Sequence, residues 1–527
     1  MGLIDAALPL AKYAASIFLP LILSVVIYRI AFDPLRKFPG PLLGRFSNAY
    51  GAYYAAQRNL HIATYQDLKK YGPVYRQGPD RLVFNTPTAV QEIYLHPRIT
   101  KARLYLQTQY ETEHNVFGTM DRHRHQQKRK IYGRLLSDRA LRSFEPAMHG
   151  EIDIFLRQLH TAGNKPVDMS PLCGRLTTDV AGQIGFGQSL GTQTQPTNRV
   201  LPSIMTSLLG LANIYMAWPS LALVHKIIEI LPESRRNFHT WRNALFGIIS
   251  KRVDLPKHAR RDIYSIVAED FEADQEIPPR EMGEVWGEAT FIIPAGGLTT
   301  STAISAIFFY LSRHQDVYGR LAAEIRAAFP DSASITSGPG LSGCTYLRAV
   351  IDESLRMAPS TTITAWREED PKSKSTEPPF VVDGHIIPRG TYVGVNSYCL
   401  MHNEEYFPKP WAFRPERWLA GDEEGSDSMA ATMRSAFIPF AVGSASCLGK
   451  SMAYMEMSLV IAKTLWYFDF QRAAGEAGQL GGGDPQSSSR PRVDEFQLYD
   501  ALIADHHGPS LIFSPRGTFW KDLVKNA

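Results

Sequence analysis

From about residue 121 to residue 360, apolar side chains recur every three or four positions, the period of one face of an α-helix. Leu347, Val350, Ile351 and Leu355 make one such stripe, and a longer apolar helix is predicted from roughly Glu281 to Ser312. Short alternating runs within residues 71–95, such as Val74-Tyr75-Arg76 and Arg81-Leu82-Val83-Phe84, predict paired strands with a turn at Gly78-Pro79-Asp80. After Pro379 the chain returns to strands and irregular loops, then to one more helix over about 450–467. Residues 421–428, acidic and polar, and 475–492, rich in Gly, Ser and Pro, read as exposed insertions. No segment repeats at solenoid spacing. The pattern predicts a mainly α fold with a small β-rich part.

Residues 13–28 depart from this pattern, being uncharged and mostly Ala, Ile, Leu and Val. The run is a little short of the ~20 residues that a bilayer asks for. Lys12 and Arg29 at its ends can snorkel and extend it. A cleaved signal peptide is the rival reading, but no earlier basic segment or small-residue cleavage site is evident. Arg29, Arg36 and Lys37 follow the run and Lys12 precedes it, which places the C-terminal body on the cytosolic side. The predicted division is a membrane anchor over 1–32 and a globular body over 33–527. Lys37-Phe38-Pro39-Gly40-Pro41 reads as a stiff hinge between them. Residues 203–231 are also apolar, and either ordinary core or a surface dipping into the membrane fits them.

Composition narrows the function. The chain is 44% hydrophobic and 20% charged, as a globular protein should be. A net charge of +4 over 527 residues gives no reason to expect nucleic acid. Cys173, Cys344, Cys399 and Cys447 are too few and too scattered for a disulfide framework or a CxxC zinc site, so the body reads as belonging to a reducing compartment.

Cys447 is singled out by its setting. Residues 440–450, Phe-Ala-Val-Gly-Ser-Ala-Ser-Cys-Leu-Gly-Lys, form a glycine-punctuated loop whose cysteine opens a predicted helix. Gly443 and Gly449 would let the backbone approach something flat and bulky. A helix N-terminus favours a thiolate, and such a thiolate is a good axial ligand for iron. A buried structural cysteine in a turn is the alternative. Glu353 and Arg356 share a helix face at i,i+3. Pro294, followed by Gly296 and Gly297, should kink or loosen the long helix, letting Thr299 and Thr300 offer hydroxyls to a groove. Residues 122–130 are strongly basic; His123 and His125, two apart, share no helix face and make no metal pair.

In this order, these segments resemble the cytochrome P-450 family over nearly the whole chain from about residue 33. Phe440, Gly443, Cys447 and Gly449 match its haem-binding signature Phe-x-x-Gly-x-Arg-x-Cys-x-Gly. Ala445 stands where the family has an arginine that usually holds a haem propionate. Residues 413–418, Phe-Arg-Pro-Glu-Arg-Trp, resemble the family's Pro-Glu-Arg-Phe segment. The resemblance implies the P-450 fold, with haem b between the Cys447 loop and the long central helix. It implies Cys447 as the iron's axial ligand, and Arg417 joined with Glu353 and Arg356 in a buried structural triad. It places dioxygen beside the long helix, with Thr299 in oxygen activation and proton delivery. Leu298 occupies the position of the usual acid, so the proton relay is incomplete. His125 and Arg129 fall where a helix meets a propionate, and Arg367 is a further propionate partner. Tyr105, Phe291, Ala295, Thr362 and Leu502 fall along an apolar substrate pocket.

The implied activity is insertion of one oxygen atom from O2 into a lipophilic small molecule. Electrons would come singly from NADPH through a membrane-bound NADPH-cytochrome P-450 reductase, an acidic partner suited to the exposed basic residues. The anchor resembles that of microsomal members, which implies a single-pass protein of the endoplasmic reticulum membrane with its catalytic domain in the cytosol. The general character resembles fungal enzymes of secondary metabolism. Leu298 keeps open a haem-thiolate enzyme that desaturates, couples or rearranges. Ala445 and Leu298 together keep open a haem binder without catalysis.

Overall fold

The computed structural model describes residues 16, 19–21, 23–109, 111, 113–224, 231–257, 259–260, 262–269, 272, 275, 277–373, 376–419 and 427–525. Helix dominates. The helices that frame the site are α1 (Pro87–Tyr94), α2 (Arg122–Gly133), α3 (Met169–Phe186), α4 (Leu201–Ala217), α5 (Pro232–Val253), α6 (Pro279–Arg313), α7 (Thr345–Met357) and α8 (Lys450–Tyr467).

α6 runs through the centre. Ile304, Ile307, Phe308, Phe309, Tyr310 and Leu311 have no exposed surface, so its C-terminal half is enclosed on every side. Its length and hydropathy would suit a membrane span, but 72% of its apolar window is buried inside the fold, which makes it a core helix. The helix is continuous from Pro279 to Arg313, with Pro294 inside it. Gly297 is there for packing: a Cβ would come within 3.1 Å of the Thr178 backbone. Glycine thus lets α3 lie close against α6. α3 itself is capped by the Asp168 carboxylate, which accepts from Ser170 N–H at 3.1 Å, and ends at Gly187 in the left-handed region (φ 64°).

The small β part is a five-stranded sheet of β1 (Val74–Gly78), β2 (Arg81–Phe84), β3 (Ile99–Lys101), β4 (Arg367–Glu369) and β5 (Tyr392–Val395), ordered β1-β2-β5-β4-β3. β2 and β5 run parallel, and the other neighbours are antiparallel. The hairpin at residues 78–80 forms as its turn residues suggest. The rest of the 71–95 stretch turns helical at Pro87, because Thr86 caps α1 by accepting from Ala89 N–H at 3.0 Å.

One sequence reading changes. The Pro39-Gly40-Pro41 connector is fixed to β1: Arg76 N–H donates to the Pro39 carbonyl at 2.7 Å, and a Cβ at Gly40 would strike the Arg76 carbonyl at 2.2 Å. Arg29 bonds Asp33 at 2.8 Å, beside Arg76 on the same carboxylate at 2.6 Å. Residues 475–492 are mostly exposed, as read from the sequence, with Gly482 and Gly483 lying against the backbone of Val493 and Arg490. Residues 421–426 lie outside the described part. In the apolar 203–231 stretch, Ile204, Met205, Ala212, Tyr215 and Met216 face the core, whereas Leu223 is 84% exposed. Ahead of the body, Leu19, Leu21, Leu23, Ile27, Ile30 and Phe32 are exposed along one short apolar helix.

Candidate functional site

Cys447 sits between the tight turn Gly443–Ala445 and the start of α8. Its N–H donates to the Phe440 carbonyl at 2.8 Å, and Ser446 N–H donates to the Gly443 carbonyl at 3.1 Å. Phe440 packs beside Tyr454 of α8, with ring centroids 5.1 Å apart. Gly443 has φ 75°, and a Cβ there would lie 2.2 Å from the Tyr94 carbonyl oxygen. The glycine is required by the loop's seat on the end of α1, not by a bulky group approaching the backbone. At Gly449 a Cβ would rest 3.9 Å from the Cys447 sulfur, an ordinary contact.

Cys173, Cys344 and Cys399 are buried, and Cys447 is the cysteine with exposed surface. Burial pushes the Cys173 thiol up to about 12 and the Cys344 thiol up to about 11. The Cys447 thiol is raised as well: although its residue is exposed, protein crowds the sulfur closely enough for desolvation to win. Gly449 N–H, Arg129 and Lys450 pull the other way. The helix end therefore does not by itself make a thiolate; a bonded cation does so outright.

On α6, Phe291, Ala295 and Thr299 fall four residues apart, with Ile292 and Gly296 beside them. All five are half-buried, while Ile293, Pro294, Gly297, Leu298 and Thr300 are buried. This stripe is the face of the helix that its neighbours cover least. Leu448, next to Cys447, belongs to the same apolar cluster as Phe291, Ile292 and Leu298. The Thr299 hydroxyl donates to the Ala295 carbonyl at 2.6 Å, and Ser360 Oγ donates to the Thr299 carbonyl at 2.7 Å. Thr300 points away from the groove and is buried.

The other expected wall residues divide. Phe291 and Ala295 are on the stripe. Tyr105, Thr362 and Leu502 are only 3%, 1% and 5% exposed, so they stand behind the wall rather than on it. Thr362 Oγ1 is held by Asp500 at 3.0 Å, and the Tyr105 hydroxyl faces Arg367 Nη1 at 3.4 Å. Leu502 has φ 66° in a packed turn. Ile363 and Ala365 are half-buried instead. A separate cleft on the far face of α6, lined by Met205, Leu208, Trp241, Leu245, Thr290 and Pro294, includes neither Cys447 nor Thr299.

Glu353, Arg356 and Arg417 meet in the core. Glu353 has no exposed surface. It takes two hydrogen bonds from Arg356 (2.9 and 3.0 Å) and one each from Arg417 Nε, Trp418 Nε1 and Arg414 N–H (3.0 Å each). Burial pushes its pKa up, but the two guanidiniums and these bonds hold it below the usual glutamate value.

Four basic side chains converge from separate elements: Lys101 of β3, His125 and Arg129 of α2, and Arg367 of β4. Each bears on another electrostatically, and Lys101, His125 and Arg367 are under 8% exposed. Burial and then the Arg367 and Arg129 charges drag Lys101 down to about 7. Burial and then Lys101, Arg129 and Arg367 drag His125 down to about 3. Arg129 Nη1 also donates to the Ser446 carbonyl at 2.6 Å, bringing positive charge to the cysteine loop from another helix where Ala445 brings none. Arg129, Arg367 and the partly charged Lys101 repel one another and want an anion among them, while His125 is uncharged near neutral pH. A haem with its two carboxylates fits this cradle, between an accessible thiol and a half-buried stripe. Lys101 escaped sequence reading because a single lysine ending a three-residue strand carries no pattern.

A sequence model of the family described as cytochrome P450 matches residues 38–479. Cytochrome P450 monooxygenase poxM of Penicillium oxalicum is 34% identical over 511 residues, covering 95% of this chain and 94% of the relative. Cytochrome P450 monooxygenase AKT7 of Alternaria alternata is 32% identical over 512 residues, covering 95% and 96%. The chain belongs to the cytochrome P450 family. It is a haem-dependent monooxygenase, and its electrons derive from NADPH through a redox partner.

A pH dependence follows from Lys101. Burial lowers its pKa to about 7, so above that pH it is largely uncharged. Binding a carboxylate must then take up a proton, and affinity falls as pH rises. Haem transfer to an apomyoglobin scavenger is expected to be faster at about pH 8.5 than at about pH 6.5, with the difference much reduced in Lys101→Met. A pH-independent rate in the wild-type protein would contradict this.

Proposed function

We propose that Cys447 is the axial ligand of a haem iron, and that the protein inserts one oxygen atom of O2 into a lipophilic small molecule of fungal secondary metabolism. The observation that carries this is the one exposed cysteine, in a loop that Arg129 of the basic cradle reaches through the Ser446 carbonyl. Bound haem supplies the oxygen-activating electron chemistry. His125, Arg129, Arg367 and Lys101 hold its carboxylates, and Phe440 backs the cysteine loop. The apolar stripe orients the substrate and excludes water. Thr299 holds a proton at Oγ1, within reach of the space it borders. Leu298 is buried in the apolar cluster and lends no acid, so that proton is replenished by water. Residues 1–32 anchor the protein in the endoplasmic reticulum membrane in a single pass, with residues 33–527 in the cytosol beside NADPH-cytochrome P450 reductase. The apolar helix ahead of Asp33 supports this reading.

The test is reconstitution with reductase, NADPH and 18-O2, with products taken from a host expressing the chain and compared with an empty control. One labelled oxygen in the product is expected. Product without label would favour desaturation, coupling or rearrangement. Thr299→Ala is expected to lower product per NADPH consumed and raise hydrogen peroxide. Product formation should fall by roughly a hundredfold, the low end of what a positioned proton donor contributes. Unchanged coupling would remove Thr299 from the proton path.

A further inference from the structure

Of the three glutamates on the central helix, Glu281, Glu284 and Glu288, one is fully buried, and neither the haem nor the triad uses it. Glu288 of α6 has no exposed surface. One of its oxygens takes Lys128 Nζ of α2 at 2.9 Å, and the other takes the Val116 N–H at 3.1 Å. Val116 belongs to the segment between β3 and α2, which is bound at further points. Arg124 reaches Glu113 at 2.6 Å and Glu284 of α6 at 2.9 Å. Gly287 lets the segment lie directly on the helix, since a Cβ there would be 2.6 Å from the Glu113 carbonyl. From the opposite side, Lys101 Nζ donates to the carbonyls of Val116 (2.9 Å) and Phe117 (2.7 Å).

What this fixture positions is Phe117. Its ring stacks on Phe291, with centroids 4.8 Å apart and planes at 15°, and meets Tyr105 edge-on at 5.0 Å. Both stacked rings are half-buried, and Phe291 begins the stripe that leads through Ala295 to Thr299. A connecting segment is ordinarily a mobile part of a fold. A buried ion pair adds little net stability over an apolar replacement, but it fixes one arrangement of the groups it joins.

We propose that Lys128–Glu288 is a positioning pair that sets Phe117 against Phe291 as an aromatic wall, and that this wall selects substrates presenting a flat aromatic or conjugated face. Stacking on such a wall adds to simple area burial. This rests on the haem reading above, and the experiment separates the two failures.

Full-length holoenzyme is titrated with imidazole and with 4-phenylimidazole, and the Soret difference spectrum gives an affinity for each. Phe117→Ala is expected to weaken 4-phenylimidazole by about tenfold, the upper range of one aromatic contact, while imidazole stays within about twofold. Glu288→Gln and Lys128→Met should move the ratio in the same direction by a smaller factor, and Lys128→Arg should restore much of it. A merely structural role would shift both ligands together. If imidazole shifts the spectrum but Phe117→Ala leaves the ratio unchanged, the wall is overturned and the haem reading stands. If imidazole produces no shift in the wild-type protein, the haem reading fails and the wall with it. Should Glu288→Gln not yield holoprotein, Phe117→Ala and Phe291→Ala leave the ion pair intact and decide the question.

Discussion

Glu353→Ala is expected to abolish recovery of haem-containing protein. The glutamate is the shared acceptor of Arg356, Arg417, Trp418 and the Arg414 backbone, and both arginines are buried. Removing it leaves two guanidiniums in the core with one carboxylate fewer, a loss of roughly 3–5 kcal/mol for a broken buried pair. Arg356 also donates to the Met401 carbonyl at 2.9 Å, so α7 would lose its grip on the neighbouring helix Ser397–Met401 as well. Haem content per polypeptide and thermal unfolding measure the effect. The pair also predicts a direction with pH. Because the folded pKa of Glu353 is lowered, its stabilisation is fully present above the ordinary glutamate value and is lost as pH falls through the folded one. Wild-type holoprotein should therefore lose stability on acidification partly through this site. Normal haem content in Glu353→Ala would show that the network is dispensable.

Cys447→Ala is expected to do the opposite: to leave the fold and end the chemistry. The side chain is exposed, and the loop is held by backbone bonds from Cys447 and Ser446 and by Gly443 on Tyr94, none of which needs the sulfur. Thermal unfolding of the haem-free form should shift little, as for a surface substitution of about 0.5 kcal/mol or less. Turnover should fall to background, because no nearby cysteine can replace the ligand: Cys173, Cys344 and Cys399 are buried elsewhere. Retained turnover would mean that the iron is held by another group.

These two sites were the most legible part of the sequence, for a physical reason. A thiol at a glycine-marked loop before a helix, and a glutamate three residues before an arginine, are local patterns. So was α6, whose apolar run gave its extent to within two residues at either end. What stayed hidden depends on partners far along the chain. Gly443 reads as a clearance for a bulky ligand until Tyr94 appears beneath it. Gly297 reads as a loosened helix until α3 fills the space. Lys128 reads as part of a solvated basic run and Lys101 carries no pattern at all, though both are buried by elements that only the fold brings near. Glu288 did leave a trace, as a carboxylate set among Val285, Ala289 and Ile292 where the helix turns apolar and an unpaired acid would be costly. The wall positions failed in the same way: Thr362 lies in the right segment, but its side chain turns to Asp500 rather than to the space.

The account stands on a sulfur–iron bond at residue 447. Its most direct test is the carbon monoxide difference spectrum of the dithionite-reduced, full-length protein. A band at about 450 nm is predicted, the position that thiolate ligation gives. Haem-loaded protein that gives only a band at about 420 nm, or purified protein that holds no haem at all, would contradict it.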